Sequence, residues 1–450
     1  MEKLLSWFKP LPDAPRIESA EEIARQYKYW RIRTFLALYI GYCAFYVTRK
    51  NLTPALHVFS ENLGIDIVDL GIISATFSIT YGVGKLLAGI LADKANVRAF
   101  MAIGLFFSGI INLFYGFLTS LWALAFFWGL NGFCQATGYP PVAKSLVYWF
   151  SPRERAKIWS WWSSSHTAGT FAAGGIIALL LKYCNDWRAV FYVPGIIGIA
   201  IAVYIFWSLR DTPTSVGLPP IEEYKNDIIP VTVDNKAKAS QWSILKKYVF
   251  GNPYVWYLSL ALSFVYFVRF GTLDWATKFL YDARGIDKVS VVWLWNLMPL
   301  FGMPGGIVAG YLASRFFKGR CAPVTIAYLV ILALCTYGYV LFAGAQHLWL
   351  TCFFMAAIGF FVDGPQVLIG GVMISRVTAQ ESAGAAAGFS GFWAYILGTA
   401  VLANMGAAFL VEKYGWDVMY YTCIASAVVA ILFVALSAKK ESAKADEAKK

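Results

Sequence analysis

The sequence predicts an all-α polytopic membrane protein with twelve transmembrane helices arranged in two six-helix halves. The 450-residue chain is 59% hydrophobic and only 14% charged, whereas soluble domains carry roughly 25% charged residues. Twelve apolar stretches reach about 20 residues, which is the length that a helix needs to cross a bilayer. Motifs in the first six stretches recur in the second six. These three observations together predict the fold class.

The predicted spans form two groups of six that are separated by a polar central segment. They cover residues 34–56, 68–92, 99–120, 122–149, 158–182, 189–208, 253–281, 290–314, 322–344, 347–375, 382–410 and 417–437. The expected organisation is therefore an N-terminal segment (1–33), a first half (34–208), a central loop (209–252), a second half (253–437) and a charged tail (438–450).

The halves repeat each other at a slowly drifting offset. The matching pairs are Arg49 with Arg269, Gly89 with Gly310, Pro140 with Pro365 and Trp187 with Trp416, and their offsets are 220, 221, 225 and 229 residues. An offset that drifts without jumping indicates a duplicated six-helix unit. Small-residue patterns such as Gly306-x-x-x-Gly310 predict close helix packing.

The charge distribution predicts an orientation rather than a nucleic-acid partner. The formal net charge is +12, and the basic residues concentrate in the loops on the side of the two termini. Because basic loops stay in the cytoplasm, both termini are expected to be cytoplasmic. Residues 1–33 lack the apolar core of a signal peptide. Seven scattered cysteines form no metal-binding or disulfide pattern, so no cofactor is expected.

Arg49 and Arg269 lie inside apolar runs at equivalent positions of the two halves. A charge at membrane depth costs from about 2.5 to more than 10 kcal/mol, so something must compensate these arginines or use them. Two guanidinium groups that face one cavity would bind a dianion such as a phosphate ester in a bidentate manner. The alternative for Arg49 is an arginine that snorkels to the interface within an aromatic belt.

Other polar side chains are predicted to face the same cavity. Tyr42, Tyr46 and Arg49 have the spacing of one helix face, and so do Tyr81 and Lys85. Lys85 alternatively pairs with an acid such as Asp363 for packing. His166 is the one histidine in the middle of a span, where it binds an anionic substrate or serves as a hydrogen-bonded packing residue.

No nucleotide-binding or catalytic pattern accompanies these residues. Gly82-Val-Gly-Lys85 departs from the P-loop, because Ile79 stands where a glycine is needed and Leu86 where Ser or Thr is needed. No nucleophile–base pair or metal-ligand spacing stands out. The protein is therefore not expected to be an enzyme or an ATP-driven pump.

The loop motif Gly89-x-Leu-Ala-Asp93-Lys94…Arg98 resembles the signature between helices two and three of the major facilitator superfamily. In such a loop, Asp93 can hold the bundle together by charge pairing when the substrate site faces outward. Ser314 replaces this acid in the second copy, so the second half is expected to lack the latch.

Several longer motifs resemble one family of that superfamily, the organophosphate:phosphate antiporters. They are Tyr-Val-Thr-Arg49-Lys-Asn, Tyr-Gly-Val-Gly-Lys85, Ser-His166-Thr-Ala-Gly, Phe-Val-Arg269-Phe-Gly-Thr-Leu-Asp-Trp275 and Asp-Gly-Pro365-Gln. The resemblance implies exchange of a phosphorylated metabolite for inorganic phosphate around Arg49 and Arg269. It places the other substrate-binding positions of the family on Tyr42, Tyr46, Lys50, Tyr81, Lys85 and His166.

The resemblance leaves the substrate and the role open. The central segment from Arg210 to Asp227 favours glycerol-3-phosphate, whereas helices two and ten favour a hexose-6-phosphate. Pro299 stands where the family has an acid, and Asp363 stands where an aromatic residue is usual. Asp363 is therefore expected to take over as the charge partner of Lys85 or Arg269. The alternative role is a membrane sensor of external hexose phosphate that signals to a kinase. The expected setting is a monomer in the plasma (inner) membrane.

Overall fold

The computed structural model of the chain describes residues 11–92, 95–226, 246–378 and 382–447, and within these ranges it is helical without strands. The first half, residues 20–208, contains α1 (Ala20–Val47), α2 (Ile67–Ala92), α3 (Val97–Tyr115), α4 (Leu121–Gln135 and Tyr139–Trp149), α5 (Pro152–Tyr183) and α6 (Ala189–Ser208). A short helix, Leu56–Leu63, follows α1.

The second half, residues 253–447, contains the six remaining long helices. They are α7 (Pro253–Lys278), α8 (Lys288–Trp295 and Leu297–Arg315), α9 (Ala322–Phe342), α10 (Leu348–Val367, Leu368–Met373 and Ile374–Val377), α11 (Ala383–Trp393, Ala394–Gly406 and Ala407–Tyr414) and α12 (Trp416–Glu447). The middle part of α11 is wound as a π-helix, a form that is frequent at functional sites.

Ten of the described helical stretches are individually long and apolar enough to cross a membrane. The other two predicted spans correspond to α1 and α4. The first turns of α1 carry charged residues, and its apolar part contains several tyrosines, which lowers its mean hydropathy. Residues 136–138 divide α4 into pieces of 15 and 11 residues, each shorter than a membrane span.

The first and last helices extend beyond the spans that the sequence predicts. α1 begins at Ala20, inside the predicted N-terminal segment, because the Ser19 hydroxyl caps it by accepting a hydrogen bond from the amide of Glu22. α12 continues to Glu447, into the predicted charged tail. Glu441 is buried there and pairs with Arg376 at 2.5 Å, which fixes the last turns of α12 to the bundle.

The two halves meet along two symmetry-related seams. α2 of the first half packs against α11 of the second, and α5 packs against the first part of α8. Because α8 is the repeat of α2 and α11 is the repeat of α5, the same pseudo-twofold axis relates the two seams. The space between the seams lies at the centre of the bundle, where the conserved pattern of the repeat places Arg49 and Arg269.

The closest helix approach differs from the one that the sequence predicts. No heavy atom lies within 4 Å of a Cβ built on Gly310, and one built on Gly306 meets ordinary contacts at 3.5 Å. The tight positions are Gly305 and Gly359 instead, where a Cβ would lie 1.9 and 2.1 Å from backbone carbonyl oxygens. These two glycines allow α8 and α10 to touch through their backbones.

The bundle has two distinct ends. The terminal end holds Leu11, the start of α3 and the central segment, where the Asp211 carboxylate accepts hydrogen bonds from the amides of Leu11 and Val97, each at 2.8 Å. The far end holds the 56–67, 278–288 and 414–416 connections. At this far end, hydrogen bonds and an ion pair join the first half to the second.

Candidate functional site

The turn after α1 carries the two basic residues on which the site depends. The helix ends at Val47, so Arg49 lies in a turn and not within the helical span that the sequence predicted. Lys50 reaches across to the second half, where its ammonium donates to the Asp274 carboxylate at 2.7 Å. Both partners of this ion pair are largely buried, with 14% and 15% of their side chains exposed. The ion pair therefore links the halves beside the cavity.

Arg49 is surrounded by aromatic rings rather than by acids. Its guanidinium carbon lies 3.9 Å from the ring centre of Tyr46 and 5.3 Å from that of Tyr81. Such cation–π contacts contribute about 0.5–2 kcal/mol each. Within the described residues no carboxylate pairs with Arg49, and its buried Nε has no hydrogen-bond partner. The Arg49 charge is therefore left available to an anion.

Arg269 of α7 has the acidic partner that Arg49 lacks. One of its nitrogens, Nη1, donates to the Asp363 carboxylate and to the Gln366 side-chain oxygen, both on α10. Of the two partners that the sequence offered for Asp363, the structure pairs it with Arg269. Gly302 makes room for the carboxylate, because a Cβ at this position would lie 2.4 Å from Asp363 Oδ2.

Lys85 lies in a cage of three tyrosines. Its ammonium is 5.7 Å from the ring centre of Tyr81, 5.6 Å from that of Tyr139 and 5.4 Å from that of Tyr395. No acid in the described part of the chain pairs with it, so Asp363 does not serve Lys85 here. Tyr395 comes from α11, so the cage spans both halves.

His166 packs among aromatic rings on the first-half side of the site. Its ring lies 4.9 Å from Tyr42, 5.5 Å from Tyr46 and 5.0 Å from Trp162, in edge-to-face contacts. Its Nδ1 lies 2.5 Å from the Ser163 carbonyl, which can only accept, so Nδ1 carries a proton. The second nitrogen, Nε2, is the one left for a substrate. Tyr42 itself is buried against Trp162.

A cavity of about 60 Å³ lies between the halves, and three of the predicted site residues, Arg49, Lys50 and Tyr81, line it. Its lining includes Arg49, Lys50, Tyr81, Asp274 and Tyr395. Arg269 adjoins it through Phe270, a lining residue whose ring centre is 5.8 Å from the guanidinium carbon. The Tyr46 side chain lies in the electrostatic field of both arginines. The two arginines thus act on one small region between the halves.

The charges of this region do not cancel. Arg49, Lys50, Lys85 and Arg269 are cations, and Asp274 and Asp363 are the two described carboxylates that pair with them. With His166 neutral, four positive and two negative groups leave a net charge of +2. A low-dielectric interior strengthens the attraction of this excess for an anion. A phosphate dianion would neutralise it.

Sequence reasoning missed several members of the site. Asp274 lies five residues after Arg269 within a quoted motif, so its pairing with a cation was within reach. Gln366 follows Asp363 at the spacing of one helix turn, which is a weaker signal. Tyr139 and Tyr395 carried no signal, because tyrosines are frequent throughout this chain and only the packing of α4 and α11 brings these two to Lys85.

The predicted loop latch is only partly within the described residues. Asp93 lies outside them. Arg98 stacks its guanidinium on the Phe206 ring of α6 at 4.8 Å, within the first half, and Asn96 caps the start of its helix. Arg98 makes no described contact with the second half.

The far end of the bundle is closed by side chains from both halves. Glu61 accepts a hydrogen bond from Tyr281 at 2.6 Å and pairs with Lys288 at 2.5 Å. Nearby, Lys278 donates to the Ser60 hydroxyl at 3.3 Å. Partial burial raises the pKa of Glu61, but the bonds from Lys288 and Tyr281 outweigh it and hold the pKa below its usual value. Burial lowers the pKa of His57, which packs on Tyr281, to about 4.

Comparisons of the chain with known proteins identify its family. The model of the Major Facilitator Superfamily matches residues 38–402. The "Glycerol-3-phosphate transporter" of Bacillus subtilis (strain 168) is 36% identical over 439 residues, which cover 96% of this chain and 98% of that one. The "Probable hexose phosphate transport protein" of Chlamydia pneumoniae is 35% identical, with 95% of each chain covered.

A third relative has a different role. The "Membrane sensor protein UhpC" of Escherichia coli (strain K12) is 35% identical over 437 residues, which cover 96% of this chain and 98% of that one. The matches confirm the predicted fold class and the prediction of a transport-type membrane protein rather than an enzyme. The chain belongs to the Major Facilitator Superfamily and, within it, to the organophosphate transporter family that its motifs resemble.

Proposed function

We propose that the protein is a secondary active transporter that exchanges a phosphorylated metabolite for inorganic phosphate by alternating access. One observation carries the proposal: each half contributes an arginine to a small buried region that has a net charge of +2. A dianionic phosphate group matches this charge. The transport of phosphate esters named for the glycerol-3-phosphate and hexose phosphate relatives supports the same substrate class.

The chemistry of the arginines suits phosphate. A phosphate dianion that leaves water loses strong hydration, so fixed donors must replace it. Each guanidinium offers a planar fork that matches two phosphate oxygens, whereas an ammonium offers charge without the fork. Lys50 and Lys85 would add further donors around the ester, and His166 would donate from Nε2 only in its doubly protonated, cationic form. The tyrosines Tyr42, Tyr46 and Tyr81 would present hydroxyls to its oxygens.

The same arrangement explains why transport would be an exchange. Without an anion, the excess positive charge between the halves opposes their closure around the cavity, because like charges in a low-dielectric space repel strongly. A bound phosphate contacts Arg49 of one half and Arg269 of the other and removes this repulsion. The barrier to switching is then low only when the site is loaded, on either side of the membrane.

The far-end closure fits one state of such a cycle. Glu61, Tyr281 and Lys288 seal the far end, so the cavity would communicate with the terminal end. We infer from the basic terminal-end loops that this side is cytoplasmic and that the protein is a multi-pass monomer of the plasma (inner) membrane. Cys184, the one exposed cysteine of the seven, lies at the far end. An impermeant thiol reagent outside intact cells should label it.

The preferred ester is assigned first to glycerol-3-phosphate and second to a hexose-6-phosphate. Relatives named for both substrates match this chain almost equally, at 36% and 35% identity. The central segment favours the first assignment, although it does not line the cavity. A sensor of external hexose phosphate is the second candidate role, and its support is the 35% identity to the Escherichia coli sensor protein.

Counterflow in proteoliposomes tests the function. Purified protein would be reconstituted with phosphate inside, and the uptake of labelled phosphate would be challenged with a panel of phosphate esters. A transporter exchanges phosphate and is inhibited by its preferred ester, whereas a sensor shows binding with little or no exchange. Stronger competition by hexose-6-phosphate than by glycerol-3-phosphate would reverse the substrate assignment. Binding without exchange would favour the sensor.

A further inference from the structure

The backbone that carries Arg49 rests on buried amide side chains. In a continuing helix, the Thr48 carbonyl would accept a hydrogen bond from the amide four residues later. Instead it accepts from Asn112 Nδ2 at 2.9 Å and from Asn131 Nδ2 at 3.1 Å. Thr48 and both asparagines are fully buried. Since a carbonyl at a helix end needs an outside partner, α3 and α4 supply it.

The chain that follows Arg49 and Lys50 is also held by hydrogen bonds of a buried amide side chain. The side-chain amide of Asn51 donates to Asn112 Oδ1 at 2.8 Å and to the Val190 carbonyl of α6 at 2.9 Å. The residues immediately before and after the two basic residues are thus tied to the rest of the first half. The side chains of Arg49 and Lys50 leave this tied backbone on the opposite side, toward the cavity.

Further hydrogen bonds hold the cluster together, although two of its buried oxygens, Asn51 Oδ1 and Gln135 Oε1, have no partner among the described residues. Gln135 Nε2 donates to the Thr48 hydroxyl at 2.9 Å and to the Ser108 hydroxyl at 2.8 Å, and Ser108 donates to Asn131 Oδ1 at 2.6 Å. Each of these side chains is at most 3% exposed. Buried polar networks of this kind specify one geometry, because any displaced donor leaves an unsatisfied group.

We propose that Asn112 and Asn131 are positioning residues that set the phosphate affinity of Arg49. No carboxylate of the described residues aims Arg49, whose guanidinium contacts the rings and hydroxyls of Tyr46 and Tyr81. Whether the guanidinium reaches these tyrosines and the cavity together depends on the backbone that carries it, and this backbone is held at the Thr48 carbonyl. The proposal rests on the proposed function, because it explains how one half of the phosphate site keeps its geometry.

Phosphate affinities of variants in three backgrounds test the proposal. In the otherwise unchanged protein, Asn112→Ala and Asn131→Ala should each weaken phosphate binding about tenfold, since each leaves one donor to Thr48. In an Arg49→Lys background the further loss should fall below about threefold, because a flexible lysine depends less on backbone direction. In an Arg269→Lys background it should remain about tenfold. Equal losses in all three backgrounds would overturn the proposal.

Hydrogen exchange without phosphate gives a second, independent measurement. Amide exchange over residues 49–52 should be faster in both asparagine variants. Thr336→Val is the matched control, since it removes a fully buried hydroxyl that bonds only its own helix, and it should change neither exchange there nor affinity. Unchanged exchange in the asparagine variants would refute positioning. Absence of phosphate binding by the unmodified protein would instead refute the proposed function and leave the exchange result meaningful.

Discussion

The two arginines occupy equivalent positions of the repeat but are held by different means. Arg269 is aimed by charge, through Asp363 and Gln366 of α10. Arg49 has no carboxylate partner among the described residues, and its guanidinium contacts the Tyr46 and Tyr81 side chains. The two halves therefore share an arginine at the equivalent position but differ in the side chains that contact it.

This difference assigns unequal roles to the two halves. In the proposed cycle, phosphate would bind Arg49 without displacing a described acid, whereas at Arg269 it would have to share the guanidinium with Asp363 or compete with it. We therefore expect an incoming anion to engage Arg49 first. Engagement of Arg269 would come with the approach of the halves, which is the step that the closure around a substrate requires.

The largest expected effect is the replacement of either arginine by lysine. Arg49→Lys and Arg269→Lys keep the charge but lose the fork, so each should reduce phosphate binding and exchange by about 10- to 100-fold, which corresponds to one or two charge-assisted hydrogen bonds. Purified variants would be checked for monodispersity and then assayed for phosphate–phosphate exchange.

Arg188→Lys is the matched control for these two variants. Arg188 lies at the far end beside Asp186, at 3.5 Å, and 42% of its side chain is exposed, so its replacement should leave exchange unchanged. Near-normal exchange by Arg49→Lys or Arg269→Lys would leave the two arginines as structural charges and remove the site assignment.

The second effect concerns Asp363, the carboxylate that pairs with Arg269 and has no described counterpart at Arg49. Asp363→Asn leaves Arg269 with an uncompensated charge and should lower the yield of inserted protein or the exchange rate by more than about tenfold, because breaking a buried pair costs about 3–5 kcal/mol. A second change, Arg269→Gln, should restore yield but not exchange. Asp282→Asn, which removes a more exposed partner of Lys278, is the control. Wild-type yield and exchange in Asp363→Asn would contradict the pairing.

The third effect concerns the ion pair between the halves. Lys50→Gln and Asp274→Asn should each slow exchange, because each leaves a buried charge without its 2.7 Å partner. The double variant should be less impaired than the sum of the two, with a coupling energy of about 1–3 kcal/mol. Exchange rates of the four proteins would be compared. Strictly additive losses would show that the pair does not work as a unit.

The sequence predicts those features that can be recognised from local residue composition. A charge inside an apolar run is conspicuous, so Arg49, Arg269, Lys85 and His166 could be found without a structure. The twelve helices follow from long apolar runs in the same way. The family resemblance then added Lys50, which on spacing alone is only a second basic residue beside Arg49.

The remaining features depend on tertiary packing. The partner of Asp363 could be Lys85 or Arg269 from the sequence, and only the approach of α10 to α7 decides for Arg269. The end of α1 at Val47 has no glycine or proline to announce it, because its support comes from Asn112 and Asn131 on other helices. Single asparagines carry no recognisable pattern until the helices that bear them are packed together.

The smallest expected effect lies at the far end, where the halves are joined by exposed groups. Glu61 and Lys288 are 42% and 47% exposed, and such ion pairs contribute about 0–1 kcal/mol. The pKa of Glu61 is lowered in the closed state. Glu61 therefore stabilises closure at pH above its open-state pKa, about 4.3, and this contribution is lost as the pH falls through the closed-state value. Closure should accordingly persist between pH 7 and 5.5 and weaken near pH 4.

Spin labels can measure this closure directly. Cysteines at the exposed positions Asp66 and Ala283, in a background without native cysteines, would report the separation of the halves by pulsed electron paramagnetic resonance. The distance distribution should gain a longer component near pH 4, at most a few-fold in population. His57, whose pKa lies near 4, titrates in the same range, so Glu61→Gln is the necessary reference. This variant should show the longer component at pH 7 already. A distribution identical to wild type at pH 7 would mean that the bond from Lys278 to Ser60 and the packing around it close the far end without Glu61.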